Sequence, residues 1–190
     1  MVHQIAGSLI IGWDTIPFRT ETARGWGIDA VAIPDQEDEV ALTRDFTNQQ
    51  GLDTAVIAFG GDANLAVQQL QKCFKSSPDG HLMCRLMVPG GAYFDFPRTI
   101  TNMDICRVGR TGFGYHDEVW EFGTDYPPVV MRWTTQTNLK LCMRLISEGK
   151  FNVDAITTHT IPLEDVESRM AEVIQEPDKM LGIVFEMNDW

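Results

Sequence analysis

The stretch Ser8–Ile33, SLIIGWDTIPFRTETARGWGIDAVAI, decides the fold. Ser8 to Trp13 reads as a buried strand. Pro17 suits the first turn of a helix, where its missing N–H leaves no bond unmade. Asp14 or Thr15 can cap that helix, and Gly25 and Gly27 stop it after about Arg24. Ala30 to Ile33 then reads as a second strand. Strand, helix and strand within 26 residues make a βαβ unit, and such units build parallel sheets.

The same alternation continues along the chain. Glu37 to about Asn48 has helical spacing through Val40, Leu42 and Phe46, and Gly51 ends it. Thr54 to Phe59 is a third apolar run. A helical pattern follows over Ala63, Ala66, Val67, Leu70, Cys73 and Phe74. The turn at Pro78–Gly80 leads into a strand at His81–Val88, and Ile105–Val108 is another. An aromatic and acidic loop with paired prolines then interrupts the rhythm. Thr135 to Glu148 reads as a helix closed by Gly149, residues 150–162 as extended, Leu163 to Ile174 as a helix, and Met180 to Met187 as a last strand. The expectation is an α/β fold: a partial doubly wound, Rossmann-like, mostly parallel sheet of about five strands, with a C-terminal helix and strand extension.

Composition excludes several functions. The 190 residues carry a formal net charge of −12, and 44% are hydrophobic. That balance argues against nucleic-acid binding, which needs a basic face. No apolar run reaches membrane-spanning length, so no membrane partner is expected. Cys73, Cys84, Cys106 and Cys142 are widely spaced, form no CxxC pair and sit in apolar runs. They read as buried free thiols, which suits a reducing cytoplasm.

Asp14 stands at the end of the first strand. In doubly wound sheets ligands bind beyond the carboxyl ends of the strands. An acid at the end of the second strand of a dinucleotide fold can hold the hydroxyls of an adenosine ribose and repel a 2′-phosphate, which favours NAD over NADP. Arg19 follows five residues on and can reach the same ribose or a phosphate. From spacing alone the plainer reading leads: Asp14 as a helix cap and Arg19 as a solvated side chain. His116, Asp117 and Glu118 are adjacent, and metal sites usually recruit ligands from separated segments, so they read as a solvated loop. His159 reads as a hydrogen-bonded structural histidine. No GxGxxG occurs; GGDANLA (60–66) and GRTGFG (109–114) lack the context of a phosphate cradle at a first strand.

The opening stretch resembles the second strand and following helix of the medium-chain, zinc-type alcohol dehydrogenases. GLDTAVIAFGGDANLAVQQL (51–70), DGHLMCRLMVPGG (79–91) and DICRVGRTG (104–112) look like later strands of the same domain, in order. LISEGKFNVDAITTHTIPLEDVESRMAEVI (145–174) with LGIVFEM (181–187) is similar to the family's C-terminal end. GYHDEVWEFGTDYPPVVMRWTTQTNL (114–139) resembles a subgroup often fused to a second oxidoreductase domain.

The resemblance implies that the strand ending at Asp14 is the domain's second, that the glycine turn precedes Met1, and that the zinc-bearing catalytic domain lies further upstream. Residues 1–148 would be a truncated dinucleotide-binding domain. Residues 149–190 would be an extension that packs on that catalytic domain. The implied function is the cofactor-binding part of an NAD(P)-dependent alcohol dehydrogenase-like oxidoreductase, inactive alone, with an alcohol or polyol as the intact enzyme's substrate. The alternative is a non-catalytic Rossmann-like binding or assembly module. The implied cofactor contacts are Asp14 and Arg19 at the ribose, Phe59 and Gly60 at the close packing, and Leu86, Val88, Val108 and Arg110 near the nicotinamide. Relatives often have smaller or aromatic residues where Arg110 stands, so a surface salt bridge is an equal reading of it. No catalytic or metal-ligating residue is expected within the chain, and zinc is expected only in the catalytic domain. An assembly of like chains is expected.

Overall fold

Ile11–Trp13 forms β1 and Ala30–Ala32 forms β2, with α1 (Pro17–Gly25) between them. In the computed structural model, which describes residues 7–95, 103–108, 116–119, 127, 129 and 133–187, these two strands pair in parallel from Ile11↔Ala30 to Trp13↔Ala32. Pro17 opens α1, and Gly27 closes it at φ 84°, a conformation that favours glycine. The strand is shorter than expected: it starts at Ile11, and Ser8 and Leu9 before it are exposed.

The chain divides into two compact units, one of Met1–Glu39 with Cys142–Trp190 and the other of Val40–Leu141. In the first unit, β8 (Thr157–Pro162), α5 (Val166–Gln175) and β9 (Gly182–Glu186) follow the C-terminal part of α4 (Thr135–Ser147). β8 and β9 are parallel, with a register irregularity between Thr157 and His159. The helix expected from Leu163 starts as a 3-10 turn at Leu163–Asp165 and becomes α-helical at Val166. Ile161, Leu145 and Val173 are buried, and the Trp26 and Phe151 rings meet with centroids 5.8 Å apart. That ring contact joins the two stretches of chain that make up this unit.

The second unit is one continuous segment. It contains α2 (Glu39–Phe46, its first residue on the boundary), β3 (Thr54–Val56), β4 (Gly61–Asp62), α3 (Asn64–Gln71), β5 (Arg85–Pro89), β6 (Ala92–Tyr93) and β7 (Asp104–Val108). β5 is central in the parallel ladder β3-β5-β7, and β4 pairs with β6, also in parallel. Ala55, Ile57, Ala63, Val67, Phe74, Cys84, Leu86, Val88 and Ala92 form its core. The strand expected from His81 begins only at Arg85. Ser77 and Gly80 hold a turn before it, and Ser76 bridges Leu82 in antiparallel fashion.

The α/β class and the parallel pairing stand as expected. Among the described residues the strands form four sheets, β1-β2, β3-β5-β7, β4-β6 and β8-β9, where one sheet of about five strands was expected. Among the described residues no helix is long and apolar enough to cross a membrane.

Candidate functional site

Asp14 sits directly after β1 and its backbone N–H donates to Ala32 O at 3.3 Å, which extends the ladder by one residue. Its Oδ1 accepts from the Ile16 N–H at 2.9 Å. This side-chain bond two residues forward is an Asx-type turn. It bends the chain from strand into helix, so Asp14 is not the cap: Ile16 is, and no side chain caps the helix. The other oxygen, Oδ2, faces the Arg19 Nη1 at 3.8 Å, with the side chains 33% and 37% exposed for Asp14 and Arg19. A pair so long and so open adds little stability. Arg19 also has its Nε buried without a hydrogen-bond partner. A buried donor left unmade is costly. The part-exposed Asp14 carboxylate is an acceptor that suits the hydroxyls of a vicinal diol.

The remaining expected residues lie in the second unit. Phe59 follows β3 and is half exposed. A Cβ placed on Gly60 would meet nothing within 4 Å, so the backbone there is open to close approach. Gly61 turns into β4 with φ 97°. Leu86 and Val88 point into the core and are 0% and 2% exposed. Leu86 pairs with both Ala55 and Ile105, so it lies inside the sheet. Any contact from these two residues must come from backbone at the strand end. Val108 ends β7 opposite Pro89 and is partly exposed. Arg110 lies outside the described residues. Asp14 and Arg19 therefore belong to one unit, and Phe59, Gly60, Leu86, Val88 and Val108 to the other.

His116, Asp117 and Glu118 are exposed, and among the described residues no group of three or more ligand-type side chains could hold a metal. His159 is half-buried with its Nδ1 2.8 Å from the Thr158 hydroxyl. All four cysteines are free thiols. Burial pushes the Cys84 thiol up to about 12, an unreactive state. Cys106 and Cys142 are only half-buried, less so than their apolar context implied.

Among the described residues of the second unit, two clefts stand out. The larger, about 480 Å³, lies at the amino ends of the strands among Asp53, His81, Arg85 and Asp104. Its charges are largely paired, Lys75 with Asp53 at 2.8 Å and Arg85 with Asp104 at 3.6 Å. The smaller, about 160 Å³, is lined by Val88, Ala92, Tyr93, Phe94, Ile105 and Arg107. Sequence reasoning missed Arg107. The available signal was a charged residue inside the apolar run DICRV, where strand period alone sets its direction.

No family model matches the chain. It is 30% identical over 142 residues to the L-threonine 3-dehydrogenase of Pyrococcus horikoshii, a match that covers 75% of this chain and 34% of that protein. The chain thus spans about a third of the length of the curated relatives it matches. A putative alcohol dehydrogenase from Thermotoga maritima superposes with TM-score 0.68 at 15% identity, over 95% of this chain and 40% of the other. Alcohol dehydrogenase from Thermus sp. ATN1 gives 0.63 at 20% identity, over 96% and 48%. A short chain alcohol dehydrogenase from Escherichia coli CFT073, solved with NADH, gives 0.58 at 11% identity, over 98% and 47%. The solved structures share the fold.

Proposed function

We propose, from the resemblance to medium-chain, zinc-type alcohol dehydrogenases that sequence and fold both carry, that this chain is the cofactor-holding part of an NAD(P)-dependent oxidoreductase. Residues 1–148 serve as the dinucleotide-binding portion and 149–190 as the extension that packs on a catalytic domain. The observation that carries the reading is the part-exposed Asp14 carboxylate at the strand end, with the Arg19 guanidinium facing it. Asp14 and Arg19 hold the ribose hydroxyls, the open backbone at Gly60 admits the cofactor closely, and the negative charge at Asp14 selects NAD over NADP. Phe59, Val108 and the strand-end backbone near Leu86, Val88 and Arg110 border the nicotinamide. The cofactor, when bound, exchanges a hydride with an alcohol or polyol.

The 190 residues contain neither GxGxxG nor a zinc-ligand pattern. The glycine turn and the zinc belong to other parts of such an enzyme, and these residues do not oxidise alcohols by themselves. The free thiols agree with a reducing cytoplasm. A second reading, a non-catalytic assembly module, draws support from half-exposed Val184 and Phe185 on β9.

Calorimetric titration with NAD and NADP tests the proposal. Without the glycine turn, NAD should bind in about the millimolar range. Asp14→Ala should weaken it by about 1–3 kcal/mol, the order of a charged hydrogen bond. Asp14→Asn can still accept from the Ile16 N–H, so it should keep the thermal midpoint yet lose the discrimination against NADP. Equal NAD affinity in wild type and both variants removes Asp14 from the site.

A further inference from the structure

The smaller cleft carries chemistry that the ribose and nicotinamide contacts do not use. Its floor is apolar: Val88 and Ala92 are almost fully buried, and Ile105 and Phe94 are half-buried. One cation enters this setting. Arg107 donates from Nη2 to the Ala92 carbonyl at 2.7 Å, which anchors the guanidinium against β6. That bond takes one of the five N–H donors of an arginine. Among the described residues no carboxylate is ion-paired with Arg107 or Arg44, whereas Arg19, Arg24, Arg85, Arg144 and Arg169 each have one. In a chain of net charge −12, Arg107 and Arg44 are both held by a backbone carbonyl without an ion-paired acid, and of the two Arg107 lines this apolar cleft.

We infer that this cleft binds a small aliphatic monocarboxylate. The guanidinium fork matches the two oxygens of a carboxylate, and Val88, Ala92 and Ile105 receive the alkyl body. The cleft, about 160 Å³, leaves room for a short alkyl body beside the guanidinium. A phosphate fits less well. It would press several strong acceptor oxygens against apolar walls that offer them no donor. Of the lining residues only Val88 is shared with the expected cofactor contacts, and the inference requires no bound NAD.

The test is an NMR and calorimetric titration of the full 190-residue chain with isobutyrate, isobutyramide and inorganic phosphate, all without NAD. Isobutyrate should saturate in about the millimolar range and shift the Ala92 and Ile105 methyl signals. Isobutyramide, of the same shape without the charge, and phosphate should each bind at least about tenfold more weakly. Arg107→Gln should lower isobutyrate affinity by a similar factor. Arg107→Lys keeps the charge without the fork and should fall between. A urea midpoint for each variant shows whether it folds; if Arg107→Gln does not, the acid-to-amide ratio in wild type and Arg107→Lys decides. Equal binding of acid and amide, tighter binding of phosphate, unchanged affinity in a folded Arg107→Gln, or no saturation by about 50 mM isobutyrate overturns the inference.

Discussion

At the scale of single residues, two glycines separate structure from function. Gly51 has φ 82°, and a Cβ there would lie 2.6 Å from the Lys75 nitrogen and 2.8 Å from the Phe74 carbonyl carbon. Both are backbone atoms that cannot swing away. Gly51→Ala should cost more than about 2 kcal/mol in urea unfolding. Gly60 has open space where a Cβ would go. Gly60→Ala should stay within about 0.5 kcal/mol of wild type while weakening NAD binding. A loss of stability equal to that of Gly51→Ala, or undiminished NAD affinity, would count against its place in the site. Cys84 sets a pH dependence. Burial raises its thiol from 9.0 to about 12 in the fold. The folded state therefore holds the proton to higher pH than the unfolded chain. Its contribution is whole below about pH 9 and is lost as pH rises from there towards about 12. Unfolding midpoints between about pH 8 and pH 11 should fall less steeply in Cys84→Ala than in wild type.

At the scale of elements, the β8-β9 pair is held along its whole length, from Thr157↔Gly182 to Pro162↔Glu186. Ile161 is fully buried, and Gly182 lies so close to the Ile156 carbonyl oxygen that a Cβ would come within 2.6 Å of it. Ile161→Ala should cost about 2–5 kcal/mol. Hydrogen exchange should show the loss at Thr157–Pro162 and Gly182–Glu186 before it appears in β5. Uniform loss across both units would mean that the chain unfolds only as a whole. The order of helices and longer strands was legible because apolar periodicity and glycine stops record them. Pro17, Gly25 and Gly27 mark the ends of α1 in the sequence as they do in the fold. The β4-β6 ladder was not legible. It joins two residues on each side through backbone hydrogen bonds, and Gly61 brings no side-chain pattern to read. Asp14 was legible as an acid at a strand end. Its bond to Ile16, and the unpartnered Nε of Arg19, depend on rotamers that no spacing encodes.

At the scale of the whole molecule, β9 bears on association. Val184 and Phe185 are neighbours in a strand, so they face opposite sides, and both are about half exposed. A strand apolar on both sides is suited to burial on both. Light scattering should show a dimer or larger species, and Val184→Ser with Phe185→Ser should shift it towards monomer; a wild-type chain that remains monomeric at high concentration would contradict this. The division into units reaches further, into the order of assembly. The second unit is one unbroken segment, Val40–Leu141, whereas the first needs both Met1–Glu39 and Cys142–Trp190. On the ribosome, the inner segment emerges complete while the first 39 residues still lack the partners that Phe151 and β8 supply. Those early residues wait with Trp26 uncovered until the end of the chain is made. Closing a loop of roughly 100 residues then costs about 4 kcal/mol in chain entropy. A contiguous inner unit that forms first would shorten the effective loop that the outer unit has to close.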